Sequence, residues 1–505
     1  MTDILNKKYT RRQFIKSTAL TAAGLSFGPY IHLGKAQAAA PLMTRSMGRL
    51  GFEATTLGLG GQASLQWTPA GVDPVKIILK AFDSGINYYD TSNFYDGSQL
   101  NYGKAFRKLN LIPGQPGYNE HLRRSIFLTS KTALRFGKGG WNKQGLINLT
   151  NGDGKHTADD LRRTLSQVFG DGKGIYPKGA YLNMVLMHAV TSTEDLDALY
   201  ASYENTDAKA ETIGTLPTLI DFRDGTNLTG LNPKEEKLIR HIGFSGHASP
   251  AVMMEMIQRD TRKVLEGMLV AINANDRNYF NMQYNNIPVA KANNMGIIAM
   301  KVFADGAMYD KPAVMTEGPQ MVVFKVGSRE LPSKKLVEYS LTTPGIHTAI
   351  IGTGHIDKDP RACQLTQNLL AAQIKPDALT VSDRREIEKL ALTAKGGRTN
   401  GFFQVAKQDL TAVREFSVTQ EKKDRKRVAK LEWQTAYAGD EPITRYEIWR
   451  DRKKVGQMAY KPQITMAPFI YNETLTDSRA HKYHVLTVDA RGRTAKTEEI
   501  LLEQV

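Results

Sequence analysis

At 505 residues the chain is too long for one ordinary domain and long enough to bury a large core, so two or three units are expected. Its 41% hydrophobic and 23% charged residues are those of a folded globular protein and exclude a disordered chain. A net charge of +16 raises the question of an anionic partner, but the basic residues are scattered, so nucleic acid is not expected. The one dense run, Lys422 to Lys430, reads as a solvated linker or exposed strand. Cys363 is the only cysteine, which excludes intrachain disulfides, thiolate-rich zinc sites and cysteine-ligated iron–sulfur clusters, and no metal site is expected.

The amino terminus carries Thr10-Arg11-Arg12-Gln13-Phe14-Ile15-Lys16, then a mildly apolar stretch from Ser17 to about Leu33 that Gly and Pro interrupt. That stretch is too short to span a bilayer, and stable membrane insertion is not expected. It ends in Ala36-Gln37-Ala38-Ala39-Ala40, small residues of the kind a signal peptidase cuts. The segment resembles a bacterial twin-arginine signal, which implies residues 1–38 as signal peptide, the twin-arginine translocation machinery as partner, and a periplasmic or exported mature chain.

From about Arg45 to Phe403 apolar strand-like runs alternate with helical patterns, the mark of βα units. Val75, Ile78, Leu79 and Phe82 share a helical face, with Asp73 as N-cap, Pro74 in the first turn and Gly85 past the end. Strands are expected at Thr56 to Gly60, Ile86 to Asp90, Ile126 to Lys131, Leu182 to His188, Ile242 to Ser245, Met268 to Asn273, Gly296 to Lys301 and Thr348 to Gly352. A helix from Thr157 to Phe169 opens on a capping box of Thr157 and Asp160. Eight parallel strands with intervening helices make an α/β fold, a (β/α)8 TIM barrel over residues 39–405. Gly137 to Lys155 and Ala201 to Pro233 break the rhythm and read as loops inserted after strands three and four, either a substrate lid or plain surface insertions.

Beyond the barrel, residues 406–428 read as a basic linker, and from about Ala429 the pattern turns to period-two strands. Leu431-Glu432-Trp433, Tyr446-Glu447-Ile448-Trp449 and Tyr483-His484-Val485-Leu486-Thr487-Val488 resemble strands of a fibronectin type III domain, so residues 429–505 are expected to form a small β-sandwich. Such modules act as spacers or bind partners, here an envelope protein or a glycan.

Carbonyl reduction by a nicotinamide needs an acid for the oxygen. Tyrosine, with a pKa of about 10, needs a cation to stabilise its phenolate, and a histidine can hold the oxygen. Asp90 ends strand two, Tyr95 comes five residues later, Lys131 ends strand three and His188 ends strand four. In barrels of this kind catalysis sits at those carboxyl ends. These residues, with Gly48-Arg49-Leu50-Gly51, Leu57-Gly58-Leu59-Gly60-Gly61 and Gly85-Ile86-Asn87-Tyr88-Tyr89-Asp90-Thr91, resemble the aldo-keto reductases over roughly residues 45 to 370. The resemblance implies Tyr95 as acid, Lys131 and Asp90 as its electrostatic partners, His188 at the carbonyl, and NADP as cofactor, with NAD the alternative. It also implies cofactor contacts. Ser245 and Gly246 stand on strand five, with Gly246 where an Asn is usual, and Asn273 stands near the usual Gln. Lys301 faces the phosphates, and Met300 replaces the aromatic that often stacks on the nicotinamide. Gly352, Thr353, Gly354, Gln364 and Asn368 fall in the adenine region, where Gln364 takes the place of an Arg that meets the 2′-phosphate, with Lys358 and Arg361 nearby. No GxGxxG turn comes after a strand, which argues against a Rossmann domain.

The sequence therefore points to an oxidoreductase that transfers hydride between NADPH, or NADH, and a small carbonyl substrate, an aldehyde, ketone or sugar. The alternative is a catalytically weak nucleotide-binding sensor or an envelope scaffold that works through its carboxy-terminal domain.

Overall fold

The computed structural model describes residues 42–95, 97–132, 157–309, 311–394, 407–423 and 426–504. The twin-arginine segment and the insertion at 137–155 lie outside the described residues. The chain divides into two compact units. One comprises the chain up to His247 with Val264–Ala274 and Met295–Phe403; the other comprises Ala248–Lys263, Asn275–Asn294 and Gln404–Val505.

In the first unit β1 (Thr44–Ser46) and β2 (Glu53–Thr55) form a hairpin. Eight parallel strands then close a barrel: β3 (Leu57–Leu59), β4 (Tyr88–Asp90), β5 (Phe127–Thr132), β6 (Leu182–Met187), β7 (Ile239–Gly246), β8 (Leu265–Ala271), β9 (Gly296–Met300) and β10 (Thr348–Ile351), with β10 returning to β3. Each expected strand is present, within a few residues at its ends. The helices in chain order are α1 (Pro74–Asp83), α2 (Ser98–Lys108), α3 (Glu120–Arg124), α4 (Thr157–Phe169), α5 (Thr193–Leu199), α6 (Thr215–Asp224), α7 (Pro250–Gln258), α8 (Asn286–Ala292), α9 (Ser333–Leu341), α10 (Gln364–Ala371) and α11 (Val381–Thr393).

Local chemistry explains most of the boundaries. The Asp73 carboxylate accepts from the Val75 and Lys76 amides to start α1, and Gly85 beyond its end has φ +87. The expected cap of α4 is different: Thr157 lies within the helix and donates its hydroxyl to Thr215, while the Asp160 carboxylate accepts from Thr132 at the end of β5. Residues 201–233 are not a plain loop either, because α6 lies inside them with eight of its ten residues buried. Thr215, Pro217, Thr218 and Asp221 lend that segment its polar reading, yet all four are buried.

The inward faces of the strands meet the hairpin, whose Met47, Leu50 and Ala54 pack with Tyr88, Phe127, Met184, Leu269, Ile298 and Ile350. The fit leaves no room at two positions: a Cβ on Gly296 would overlap Leu50, and one on Gly267 would overlap Met184. One end of the barrel is therefore a packed plug, which leaves chemistry to the other end.

The second unit is built on two antiparallel sheets. β11 (Arg414–Lys423), β12 (Lys426–Gln434) and β15 (Phe469–Leu475) make one; β13 (Ile443–Arg450), β14 (Lys453–Ala459), β16 (His481–Asp489), β17 (Thr494–Lys496) and β18 (Ile500–Leu502) make the other. Trp433, Tyr446, Ile448, Tyr483 and Val485 fill the space between them, with the Trp433 and Tyr446 rings edge to face at 5.8 Å. The basic linker expected at 406–428 is corrected here. Most of it is the edge strand β11 and the start of β12, paired from Arg414↔Gln434 to Lys423↔Lys426. Period-two Phe416 and Val418 pack on the core while Glu415, Ser417 and Thr419 are exposed.

This unit also takes in α7 and α8, which the chain forms between barrel strands. Asn285 substitutes for a strand neighbour: its carbonyl accepts from the Ala438 amide at 2.9 Å, and its amide donates to the carbonyls of Ala438 (3.2 Å) and Asn281 (2.9 Å). Gln258 donates to the Gln463 carbonyl, and Arg277 donates to that of Asp440. Replacing Asn285 by Ala leaves buried backbone groups without partners, each worth about 1–3 kcal/mol. Urea unfolding of the Asn285→Ala protein is expected to show a loss of about 2–4 kcal/mol, and an unchanged midpoint would mean that this amide is not a structural tie.

Candidate active site

The site starts from a buried ion pair. Asp90 ends β4 and Lys131 lies near the end of the neighbouring β5, where Asp90 pairs in register with Thr129. Lys131 reaches across with Nζ 2.6 Å from Asp90 Oδ1 and 2.8 Å from the Thr91 carbonyl, and both side chains are almost wholly inaccessible, at 1% and 2% exposure. The backbone closes tightly over them: a Cβ on Gly61 would stand 2.5 Å from the Asp90 carbonyl oxygen, so only glycine fits there. Burial pushes the Asp90 carboxyl above its ordinary range, with Lys131 opposing, and pushes the Lys131 ammonium below its own, with Asp90 opposing. Asp90 Oδ2 has no hydrogen-bond partner.

Tyr95 sits on a turn held by the Tyr95 amide donating to the Ser92 carbonyl and the Ser98 amide donating to the Tyr95 carbonyl. Lys131 Nζ stands 4.7 Å from the centre of its ring. The His188 ring meets Tyr95 edge-on at 6.1 Å and Phe94 at 4.9 Å, so the four residues singled out from the sequence occur together. Burial pushes the Tyr95 phenol well above its ordinary value, and Asp90 and Asp305 push it further. Lys131 offers little relief because its charge is closed by Asp90 at 2.6 Å. His188 is held neutral, its pKa well below 6.5 through burial and the charges of Lys131 and Lys301, and its Nδ1 is buried without a partner.

A cavity of about 130 Å³ begins at Asp90 and Tyr95 and is lined also by Lys301, Gly352, Gln364 and Asn368. Of the nine cofactor residues expected from the sequence these four share the space with Asp90 and Tyr95; Ser245, Gly246, Asn273, Thr353 and Gly354 are not in its lining. Ser245 Oγ accepts from the Ala189 amide, Asn273 donates to the Lys301 carbonyl, and Ser64 donates to the Gly354 carbonyl. The Gln364 amide is engaged by the Gly354 amide and by the carbonyls of Val323 and Lys325, so it ties the 323–325 segment to the end of β10. Asn368 Oδ1 is buried with no partner. Arg361 is exposed and bidentate to Asp359. Met300 lines the cavity where an aromatic is usual.

Three further residues belong to the site. Gln62 Oε1 accepts from Lys301 Nζ at 3.0 Å, and Asp305 stands 3.5 Å from the same ammonium. Burial would raise the Asp305 carboxyl, but Lys301, Lys311 and the Thr316 amide outweigh it and hold it below the ordinary range. Lys301, Ala304 and Asp305 all have positive φ, between +49 and +59, so this turn carries backbone strain beside the cavity. His247 lies 6.1 Å from His188, ring to ring. Gln62, Asp305 and His247 each lie one to five residues past a strand end, which is the signal that would have found them.

Removing one member of a buried pair typically costs about 3–5 kcal/mol, because the other charge is stranded. Lys131→Met is expected to lose stability on that scale at neutral pH. The folded Asp90 carboxyl lies above its unfolded value, so its contribution is fully present below about 4 and is lost as pH rises through the raised folded value. Without Lys131 that value climbs further, so the deficit should shrink as the pH is lowered from 7.5 towards 5. Urea unfolding at the two pH values checks this; a deficit that grows on acidification would contradict the stranded-carboxylate account.

A sequence model of the Aldo/keto reductase family matches residues 56–321. No curated protein matches the chain. Among solved structures, a putative aldo-keto reductase from Pseudomonas aeruginosa is 20% identical, with 66% of this chain and 95% of that one covered and a TM-score of 0.39. An aldo-keto reductase from Bacillus halodurans in its holo form is 18% identical, covering 69% and 96%, with a TM-score of 0.42. One from Klebsiella pneumoniae in complex with NADPH is 16% identical, covering 70% and 95%, with a TM-score of 0.41. The family match spans more than half of the chain and includes β3 to β9 with Asp90, Tyr95, Lys131 and His188, and on that ground the chain belongs to the aldo/keto reductase family.

Proposed function

We propose that this member of an oxidoreductase family reduces the carbonyl group of a small aldehyde, ketone or open-chain sugar with NADPH, and that Tyr95 is the proton donor. The observation that carries the reading is the meeting of Asp90, Lys131, Tyr95 and His188, of which Asp90 and Tyr95 line a cavity that runs on to Asn368. The residues fit a dinucleotide: Lys301 offers a cation to phosphate, Asn368 Oδ1 is a spare buried acceptor, and Lys325 adds a second cation to the lining, which supports NADP over NAD. A bound nicotinamide supplies the hydride. The chain's own residues handle the oxygen.

His188, neutral, donates a ring N–H to the carbonyl oxygen and orients it. Tyr95 keeps its proton at neutral pH because its pKa is raised. A nascent alkoxide is a far stronger base than phenolate, its parent alcohol having a pKa of roughly 16, close to that of bulk water. The proton therefore passes from Tyr95 Oη only once the oxygen has gained charge. Lys131, held by Asp90, then lies within reach of the phenolate's field.

A second reading, a nucleotide-binding sensor of low turnover, is favoured by Ser245 and Asn273, whose polar groups are engaged within the protein. The amino-terminal twin arginine supports export to the periplasm, and the two-sheet carboxy-terminal unit supports a fibronectin type III-like role in contacting an envelope protein or glycan.

Monitoring nicotinamide absorbance with a panel of carbonyls should show turnover in the wild type, and Tyr95→Phe should lower kcat about 10²–10⁴-fold with dinucleotide affinity kept. The wild-type rate should be flat through neutral pH, since Tyr95 titrates above 10 and His188 below 6.5. Tight dinucleotide binding with wild type and Tyr95→Phe equally inert would select the sensor.

A further inference from the structure

At the amino ends of the barrel strands, away from the catalytic cavity, lies a second pocket of about 370 Å³, within the size range of ligand sites. The two share no lining residue. Leu50, Phe52 and Phe127 form its apolar wall, and Tyr181, Asn183 and Arg240 stand on the polar side. Asn183 and Arg240 lie near the starts of the paired strands β6 and β7.

Positive charge is left over here. Two guanidinium groups stand over the Tyr181 ring, Arg123 with its central carbon 4.0 Å from the ring centre and Arg240 at 4.4 Å. An aromatic face attracts a cation but does not neutralise it. Among the described residues neither arginine makes an ion pair. Arg123 is wholly buried and donates only to neutral groups, Asn183 Oδ1 at 3.0 Å and the carbonyls of Tyr181 at 2.8 Å and Ile126 at 3.4 Å, while its Nε has no partner. Burial lowers its pKa to about 10, with the Tyr181 and Tyr118 phenols opposing and Arg240 adding to the effect, so at neutral pH it remains a cation. A buried charge without a counter-ion is costly. Asn183 Oδ1 also accepts from the Leu128 amide at 3.0 Å, which leaves Nδ2 as a donor with no partner among the described residues. The other two basic side chains of the wall have acids beside them: Arg124 has Glu120, and His241 Nδ1 has Glu266 at 3.0 Å.

We propose that this pocket binds a phosphate monoester, with its phosphate on the Arg240 guanidinium and the Asn183 amide, the Arg123 charge behind them, and its organic part against Leu50 and Phe52. The planar guanidinium fork matches phosphate oxygens two at a time. A monocarboxylate would offset one of the two uncompensated cations, whereas a phosphate monoester, with a charge of about −2, offsets both. The apolar wall favours an organic ester over the bare ion.

The test is calorimetric titration of the full-length protein with phenyl phosphate, inorganic phosphate and phenol. Phenyl phosphate is expected to bind about ten-fold tighter than inorganic phosphate, and phenol not at all. Arg240 is exposed, so its replacement spares the core. Arg240→Gln should weaken phenyl phosphate about ten-fold, and Arg240→Lys should restore part of the loss. Lys301→Gln, which alters the cation of the catalytic cavity, should leave phenyl phosphate binding unchanged. Loss in Lys301→Gln with retention in Arg240→Gln would place the binding in the catalytic cavity and overturn the proposal. So would no heat with phenyl phosphate, equal affinity for inorganic phosphate, or phenol binding as tightly as its phosphate.

Discussion

An ammonium and a carboxylate 2.6 Å apart, both shut away from water, set the terms for everything around them. Burying two charges costs several kcal/mol each, and their attraction repays this only when the geometry is fixed and the remaining polar atoms have partners. The barrel supplies the geometry: neighbouring parallel strands, held in register, bring Asp90 and Lys131 side by side, and Gly61 admits the close backbone contact that seals the pair. The partners are incomplete, since Asp90 Oδ2 and His188 Nδ1 are buried and unbonded. Such groups destabilise the fold, and their occurrence close to Tyr95 fits a site organised for a ligand's polar groups rather than for its own stability.

The strand ends carry the site. After β7 and β8 the chain enters α7 and the Asn275–Asn294 segment, which belong with the carboxy-terminal sheets. Within that unit Asn285 satisfies both backbone groups of Ala438, while Arg277, Lys407 and Arg493 converge on Asp440. Arg493 and Lys407, as hydrogen-bond donors and as charges, outweigh burial and hold the Asp440 carboxyl at about 2. These ties join the carboxy-terminal sheets to α7 and the Asn275–Asn294 segment within one compact unit.

Much of this was legible in the sequence. Apolar runs with Gly and Pro punctuation located all eight barrel strands, and an Asp-Pro pair located the start of α1, because burial on both faces and capping leave direct marks in residue order. Residue order says less where a group's partner lies far along the chain. Asp160 reads as a local cap and in fact takes the Thr132 hydroxyl; Thr215 and Asp221 read as loop and lie buried in α6. The lysine-rich run from 422 obscured an edge strand because charge was weighed before the alternation of Phe416 and Val418. Among site residues Asp90, Tyr95, Lys131 and His188 were visible because each ends a strand or comes soon after one and their residue types fit one reaction. Gln62 and Asp305 also follow strand ends, and what sets them apart is their approach to Lys301 across 239 and four positions of chain.

The electrostatics of Tyr95 bear on how such a site works. A lysine beside a tyrosine suggests a permanently acidified phenol, yet a phenol ionised at rest could not protonate anything. Here burial raises the phenol's pKa, and the carboxylate that holds Lys131 in place raises it further together with Asp305, so the phenol stays protonated. Once charge develops on the substrate oxygen the balance changes, because the proton's destination becomes more basic than its source. In the proposed reduction the same pair of residues keeps the acid loaded at rest and holds a cation 4.7 Å from the centre of the ring. On that proposal Asp90 sets the timing of the proton transfer as much as the position of the lysine.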